Sequence, residues 1–574
     1  VFNADDLPID GFVKRLFPTP TLLTGVVSVP LDRLSQRAAR NDELKRLLDL
    51  LGPQGGLESF DAIVEDELTS DAEIARTFEA EWQRLGLLPE ARHTGGLEAL
   101  PSGASDERLA DALAAAPPAE VYELEAWLEE WDPAIRESAA EGFEGFGDLF
   151  GQVRNAKRAV GRFLRALRLV TRYRYQVAGE LARTYPSVSL FVPALVDFSH
   201  TTSDNPSTEI REQIAIHSLV AKLSIAGRLP DAPSTRLAPF VGFDPYREVA
   251  ETALGQWNPD RGVQNSYVPY ADRASSDPQD RYHRGIRFEE VRARPLHLPD
   301  SQEWERSFLD LSGVKGAIDL VRHAIELGGF VGVKLYPPAG FLPLGNALRF
   351  AGTKGEQLDA ALRALYGYCV AMDVPILAHA SHSNGFEEDY NAFAGPAGWE
   401  LVLTEYPDLR VCFGHFGHLH GVGADPAHAS SDGWPSRFVE LIDRHPHVYA
   451  DVGNSKFPLS DGYRTQFLAL LSLLLGGANP DSRQQKRRRR LLYGSDFWMN
   501  TLSPRHDTYL TSFEEAFREA FDGATGEAFM GRNALRFLGF TGDDDRPDFS
   551  NRNRRRFVAF HGPHETPEWL QREP

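Results

Sequence analysis

The chain has 574 residues, more than one ordinary domain takes, and its 42% hydrophobic and 25% charged content is that of a folded globular protein. A formal net charge of −21 repels phosphate backbones and anionic bilayers, so no nucleic acid and no membrane is expected as a partner. The two cysteines, Cys369 and Cys412, both lie in apolar stretches, which excludes a disulfide scaffold and suits a reducing cytoplasm.

Residues 1–29 are mixed; FNADDLPIDGF reads as a loop that follows an element upstream of Val1. Residues 30–185 carry apolar residues at helical spacing, as in NDELKRLLDLL (41–51), AEIARTFEAEWQRLGLL (72–88) and KRAVGRFLRALRLVTRYRYQVAGELARTY (157–185). Gly- and Pro-rich breaks at 52–56, 101–104 and 117–118 separate them, so this stretch predicts an all-helical module. EAWLEEW (125–131) inside it reads as helix packing, and GFEGFGDLFG (142–151) as a loop.

From 186 to 540 the pattern alternates. Apolar runs at 188–197, 237–244, 329–336, 374–380, 410–416, 447–453 and 490–496 predict strands, with amphipathic helices between them. Such alternation predicts parallel β/α units, and the uninterrupted apolar runs fit strands covered on both faces. Seven strands are one short of a closed (β/α)8 TIM-like barrel. The eighth is expected ahead of the helical module, upstream of Val1 or, less favoured, at TLLTGVVSV (21–29), which makes that module a large insertion after the first strand. Residues 257–300 form a long polar insertion, and 541–574 read as a polar tail. FLALLSLLLGGA (467–478) falls short of the ~18 apolar residues that cross a bilayer and reads as a buried helix.

Three strands end on metal-ligand residue types: VPILAHAS on His379, RVCFGHFG on His415 and RLLYGSDF on Asp496. The C-terminal ends of barrel strands are where such folds place chemistry, and two imidazoles with a carboxylate suit a divalent ion. Lys334 ends another strand, where its ammonium suits a substrate anion or an internal carboxylate. Asp197, Asp244 and Asp451 end strands at the same rim, as supports of a ligand or as loop caps. His382, His418 and His420 lie just beyond strand ends, in reach of substrate or on surface loops. KRRRR (486–490) reads as a solvated run.

FVGVKLYPP (330–338), PILAHAS (375–381), PAGWELVLTEYPDLRVCFGHFG (396–417), VYADVG (448–453), LLYGSDF (491–497) and MGRNALRFLG (530–539) together resemble the amidohydrolase superfamily, in its amidohydrolase-related (amidohydrolase 2) branch. The resemblance covers roughly residues 188–540. It implies a distorted β/α barrel with a divalent metal at the C-terminal rim: zinc first, manganese or iron as alternatives. It assigns His379, His415 and Asp496 as metal ligands, with Asp496 and His415 catalytic and Lys334, His382 and His418 at the substrate. It also implies an HxH pair on the first strand, which this sequence does not show and which is expected upstream of Val1. A lysine at the position of Lys334 is carbamylated in two-metal members. The implied activity is that of a metal-dependent hydrolase, in which a metal-activated water attacks a C–N or C–O bond of a small molecule. The branch also includes non-oxidative decarboxylases of aromatic or unsaturated acids, and a non-catalytic barrel is the third reading. The helical module is expected to cover the site or to form a homo-oligomer interface.

Overall fold

The computed structural model describes residues 172–200, 208–229, 232–252, 313–381, 388–417, 434–455, 461–501, 506–541 and 552–571, with a few single positions besides. Most of the 30–185 module, the 257–300 insertion, the 21–29 segment, EAWLEEW and GFEGFGDLFG lie outside these residues.

Eight strands are described: β1 (Leu190–Phe191), β2 (Arg236–Leu237), β3 (Phe240–Phe243), β4 (Gly332–Leu335), β5 (Ile376–His379), β6 (Val411–Gly414), β7 (Val448–Asp451) and β8 (Leu491–Leu492). β3 to β8 form one sheet in chain order, every pair parallel. β1 runs parallel to β2, and the same two segments continue through the Ala194–Phe240 bridge, so 190–195 is one stave and 236–243 the next. Pro193 and Pro239 carry no N–H, and both staves are interrupted at the same level, between the Phe191–Leu237 pair and the Ala194–Phe240 bridge. The seven strand runs expected from sequence are the seven consecutive staves of a parallel β/α barrel.

Before, between and after the strands lie α1 (Arg174–Thr184), α2 (Ile210–Ile225), α3 (Pro245–Glu251), α4 (Ala317–Glu326), α5 (Lys354–Met372), α6 (Pro396–Glu405), α7 (Trp434–Arg444), α8 (Asp461–Leu475), α9 (Ser482–Arg488), α10 (Tyr509–Ala520) and α11 (Arg552–His561). Strand side chains alternate between two environments. Val333, Leu335, Ile376, Ala378, Val411, Phe413, Val448 and Ala450 pack outward in one core with Leu358, Leu365, Trp399 and Phe438 of the helices. Phe240, Cys412, Tyr449 and Leu492 pack inward, with Phe537, Phe540, Phe557 and Leu570 closing the end of the barrel away from the strand C-termini. Both faces are buried, so the strands read as continuous apolar runs.

Two segments differ from their sequence readings. KRRRR is fastened inside the fold, not merely solvated. Lys486 Nζ donates to the Asp443 carbonyl at 2.6 Å, and Arg487 forks onto the Asp443 carboxylate at 2.8 and 2.6 Å. Arg488 donates to the carbonyls of Leu475 and Gly476 that end α8, and Arg490 lies 4.7 Å over the Tyr449 ring. Carbonyls left open at a helix C-terminus are what such cations seek. The tail after 541 is likewise not all polar loop. α11 buries Phe557, Phe560 and His561, and its Arg556 Nη1 donates to the Met372 carbonyl at the end of α5.

Candidate active site

The inward faces change character along the barrel. Beyond Phe240, Leu377, Cys412 and Leu492 come Lys334, His379 and Asp451, then His415 and Asp496 just past their strands. All of these line one cavity of about 760 Å³. Register sets the arrangement: His379 lies beside Gly414, which places His415 one residue further along the rim. The two imidazole centroids are 4.8 Å apart, and the Tyr336 ring lies tilted at 4.7 Å from His379. Phe198 meets Tyr336 edge-on at 5.9 Å, adding to an aromatic wall.

The backbone turns sharply at each of these strand ends. His415, Phe416, Asn454 and Asp496 have φ of 62°, 47°, 53° and 46°, the left-handed region that side-chain-bearing residues rarely adopt. Four such residues at the ends of three neighbouring strands mark strain held by the surrounding structure, which concentrates at functional sites.

Asp451 holds His415 in place. Its Oδ1 accepts the backbone N–H groups of His415 at 3.0 Å and of Gly453 at 2.9 Å. It fits because its neighbours lack side chains: a Cβ on Gly453 or Gly494 would meet the Asp451 carboxylate at 3.1 or 3.2 Å. The His415 ring then bonds the Gly453 carbonyl through Nδ1 at 2.9 Å. A carbonyl only accepts, so Nδ1 carries the proton and Nε2 presents a lone pair.

Asp496 occupies the N-cap position of the short helix Phe497–Asn500, yet its side chain makes no cap hydrogen bond, so capping does not explain it. Burial pushes its carboxyl above the usual range, opposed by the nearby His415 and Lys334. Burial pushes the Lys334 ammonium down, opposed by Asp451 and Asp496. A carboxyl raised and an amine lowered in one cavity are the pattern of a functional site.

Two other strand-end carboxylates are engaged by α3. Asp197 forms a buried two-bond pair with Arg247, at 2.6 and 3.0 Å, and Asp244 caps α3 by accepting the Tyr246 N–H at 2.9 Å. His382, His418 and His420 lie outside the described residues. Tyr336 and the Gly453 carbonyl, which orient the two histidines, are not singled out by any sequence motif.

Among the described residues no three His, Cys, Asp or Glu side chains are grouped so as to hold a metal ion. In kind, two imidazoles and a carboxylate at one rim fit a divalent ion, and the backbone bond on His415 Nδ1 is the support that ligating histidines have.

Residues 307–540 match the family model described as Amidohydrolase. None of the curated proteins compared with the chain matches it. Among solved structures, an uncharacterized TIM-barrel protein from Bordetella bronchiseptica is 18% identical, over 39% of this chain and 61% of that one, with a TM-score of 0.26. A protein described as amidohydrolase II is 15% identical, over 64% and 89%, with a TM-score of 0.33. The match thus spans less than two thirds of the first of these.

Proposed function

Residues 307–540 belong to the amidohydrolase superfamily, and from that premise we propose that the protein is a metal-dependent hydrolase of a C–N or C–O bond in a small molecule. The observation that carries this reading is the His415 Nδ1 bond to the Gly453 carbonyl, 2.9 Å long, which fixes the ring with a lone pair on Nε2 beside His379.

His379, His415 and Asp496 are the residues that would hold one divalent ion, zinc before manganese or iron. Bound there, such an ion polarises a carbonyl oxygen and lowers the pKa of water toward ~7. Asp496, its carboxyl raised by burial, takes a proton from the attacking water and returns it to the leaving group. With its Nδ1–H committed to the Gly453 carbonyl, His415 would act through the ion that its Nε2 holds.

A second reading, decarboxylation of an aromatic or unsaturated acid, is favoured by the Lys334 cation and the Phe198–Tyr336 wall in the same cavity. There Asp496 delivers its proton to carbon. Oxygen-18 from solvent water appears in the product of a hydrolysis, whereas CO2 release with no solvent oxygen in the product marks the lyase.

The test of both is metal content. The full chain is expected to carry near one equivalent of zinc or manganese, and a His379→Ala/Asp496→Ala double variant to lose it. A chain that takes up neither metal on addition refutes the reading.

A further inference from the structure

We propose that Lys334 is the anchor for an anionic group of the substrate, so that the site takes small monocarboxylates in preference to their neutral analogues. This deepens the enzyme reading above and rests on it for the reacting centre.

Lys334 reaches the cavity from β4, whose neighbouring inward position, Gly332, gives its space to the Phe240 ring. Among the described residues its ammonium makes no hydrogen bond and no ion pair. The carboxylates whose charge it feels are otherwise disposed. Asp451 Oδ1 is taken by the His415 and Gly453 N–H groups, and its Oδ2 lies 3.9 Å from Cys412 Sγ. Asp496 lies past the end of β8, the last strand of the sheet, and its side chain makes no cap hydrogen bond. A desolvated cation without a contacting anion is costly, and a fold keeps one where a ligand completes the pair.

A single ammonium is matched by a single carboxylate, and a neutral compound leaves it uncompensated. The Tyr336 and Phe198 rings beside Lys334 then cover the body of the ligand.

The experiment is calorimetric titration of the zinc-supplemented full chain with acetate, crotonate and benzoate, and with the amide of each. At least one acid is expected to bind tenfold or more better than its amide. Lys334→Met is expected to lose that tenfold for the acid and leave the amide unchanged, while Lys334→Arg retains the preference. Lys334→Gln replaces the Met variant if circular dichroism shows the latter unfolded. Equal binding of acid and amide, a preference that survives in the Met variant, or no acid binding at millimolar concentration overturns the proposal. Metal content of the same samples separates the two readings. A Lys334-dependent preference in a chain that refuses metal sinks the hydrolase and keeps the anchor, and a metal-loaded chain without the preference does the reverse.

Discussion

Asp496 shows how one residue is set against the stability of the fold. Its backbone sits at φ 46°, where a Cβ costs about 1–2 kcal/mol, and its carboxyl is desolvated without a hydrogen bond to offset the burial. Asp496→Gly removes both penalties. We expect its melting midpoint to rise by about 2 °C and its turnover to fall by about 100-fold or more. Asp496→Asn, which keeps the shape, is expected to lose turnover alike. A Gly variant that melts below the parent would show that Asp496 supports the fold and is not held in strain by it. The strand-end positions of His379, His415 and Asp496 were legible in the sequence because each interrupts an apolar run, and such a run is a strand in a β/α barrel. The part played by Asp451 was not. It depends on Gly453 and Gly494 standing against one carboxylate from two different strands, an adjacency that chain order does not encode.

At the scale of elements, the seven staves could be read because both faces of each are buried, outward against helices and inward against the barrel's own core. The elements misread are those whose polar residues bond to backbone. KRRRR looks solvated by composition, yet Lys486, Arg487 and Arg488 serve Asp443 and the open carbonyls of α8. The same holds for α11, where Arg552 and Arg556 donate to the carbonyls of Ala371 and Met372 while Phe557 and Phe560 are buried. Gly329, just ahead of β4, is the seat of Phe560: it has φ of 74°, and an added Cβ would lie inside the Phe560 ring. Gly329→Ala therefore combines a left-handed Ala with overpacking, which together cost roughly 2–4 kcal/mol. Chemical denaturation is the measurement, and faster proteolysis within 552–571 should accompany the loss. A shift of the midpoint without any change at the C-terminus would mean that α11 is not what the glycine seats.

At the scale of the whole molecule, the barrel separates chemistry from closure. The strand C-termini carry the titratable groups, and the opposite end is sealed by Phe537, Phe540, Phe557 and Leu570. One titratable group belongs to that seal. His561 is 3% exposed, its ring packed 4.3 Å from Phe557 and 4.8 Å from Phe560, and neither ring nitrogen has a hydrogen-bond partner. Burial, assisted by Lys222, pushes its pKa well below the usual value. A group whose pKa is depressed by folding leaves stability intact above its unfolded value of about 6.5 and withdraws it as the pH falls below, because the unfolded chain gains a proton that the folded one refuses. Lowering the pH from 7 to 5 costs up to about 2 kcal/mol through this residue alone, since each pH unit below the unfolded value is worth about 1.4 kcal/mol. His561→Phe keeps a ring in the seal and has nothing to protonate. Its melting midpoint is expected to fall less than the parent's between pH 7 and pH 5, with the two curves closest at neutral pH. Parallel curves would mean that the His561 ring reaches solvent or a partner when charged, and that the end of the barrel opposite the site opens far more readily than its packing implies.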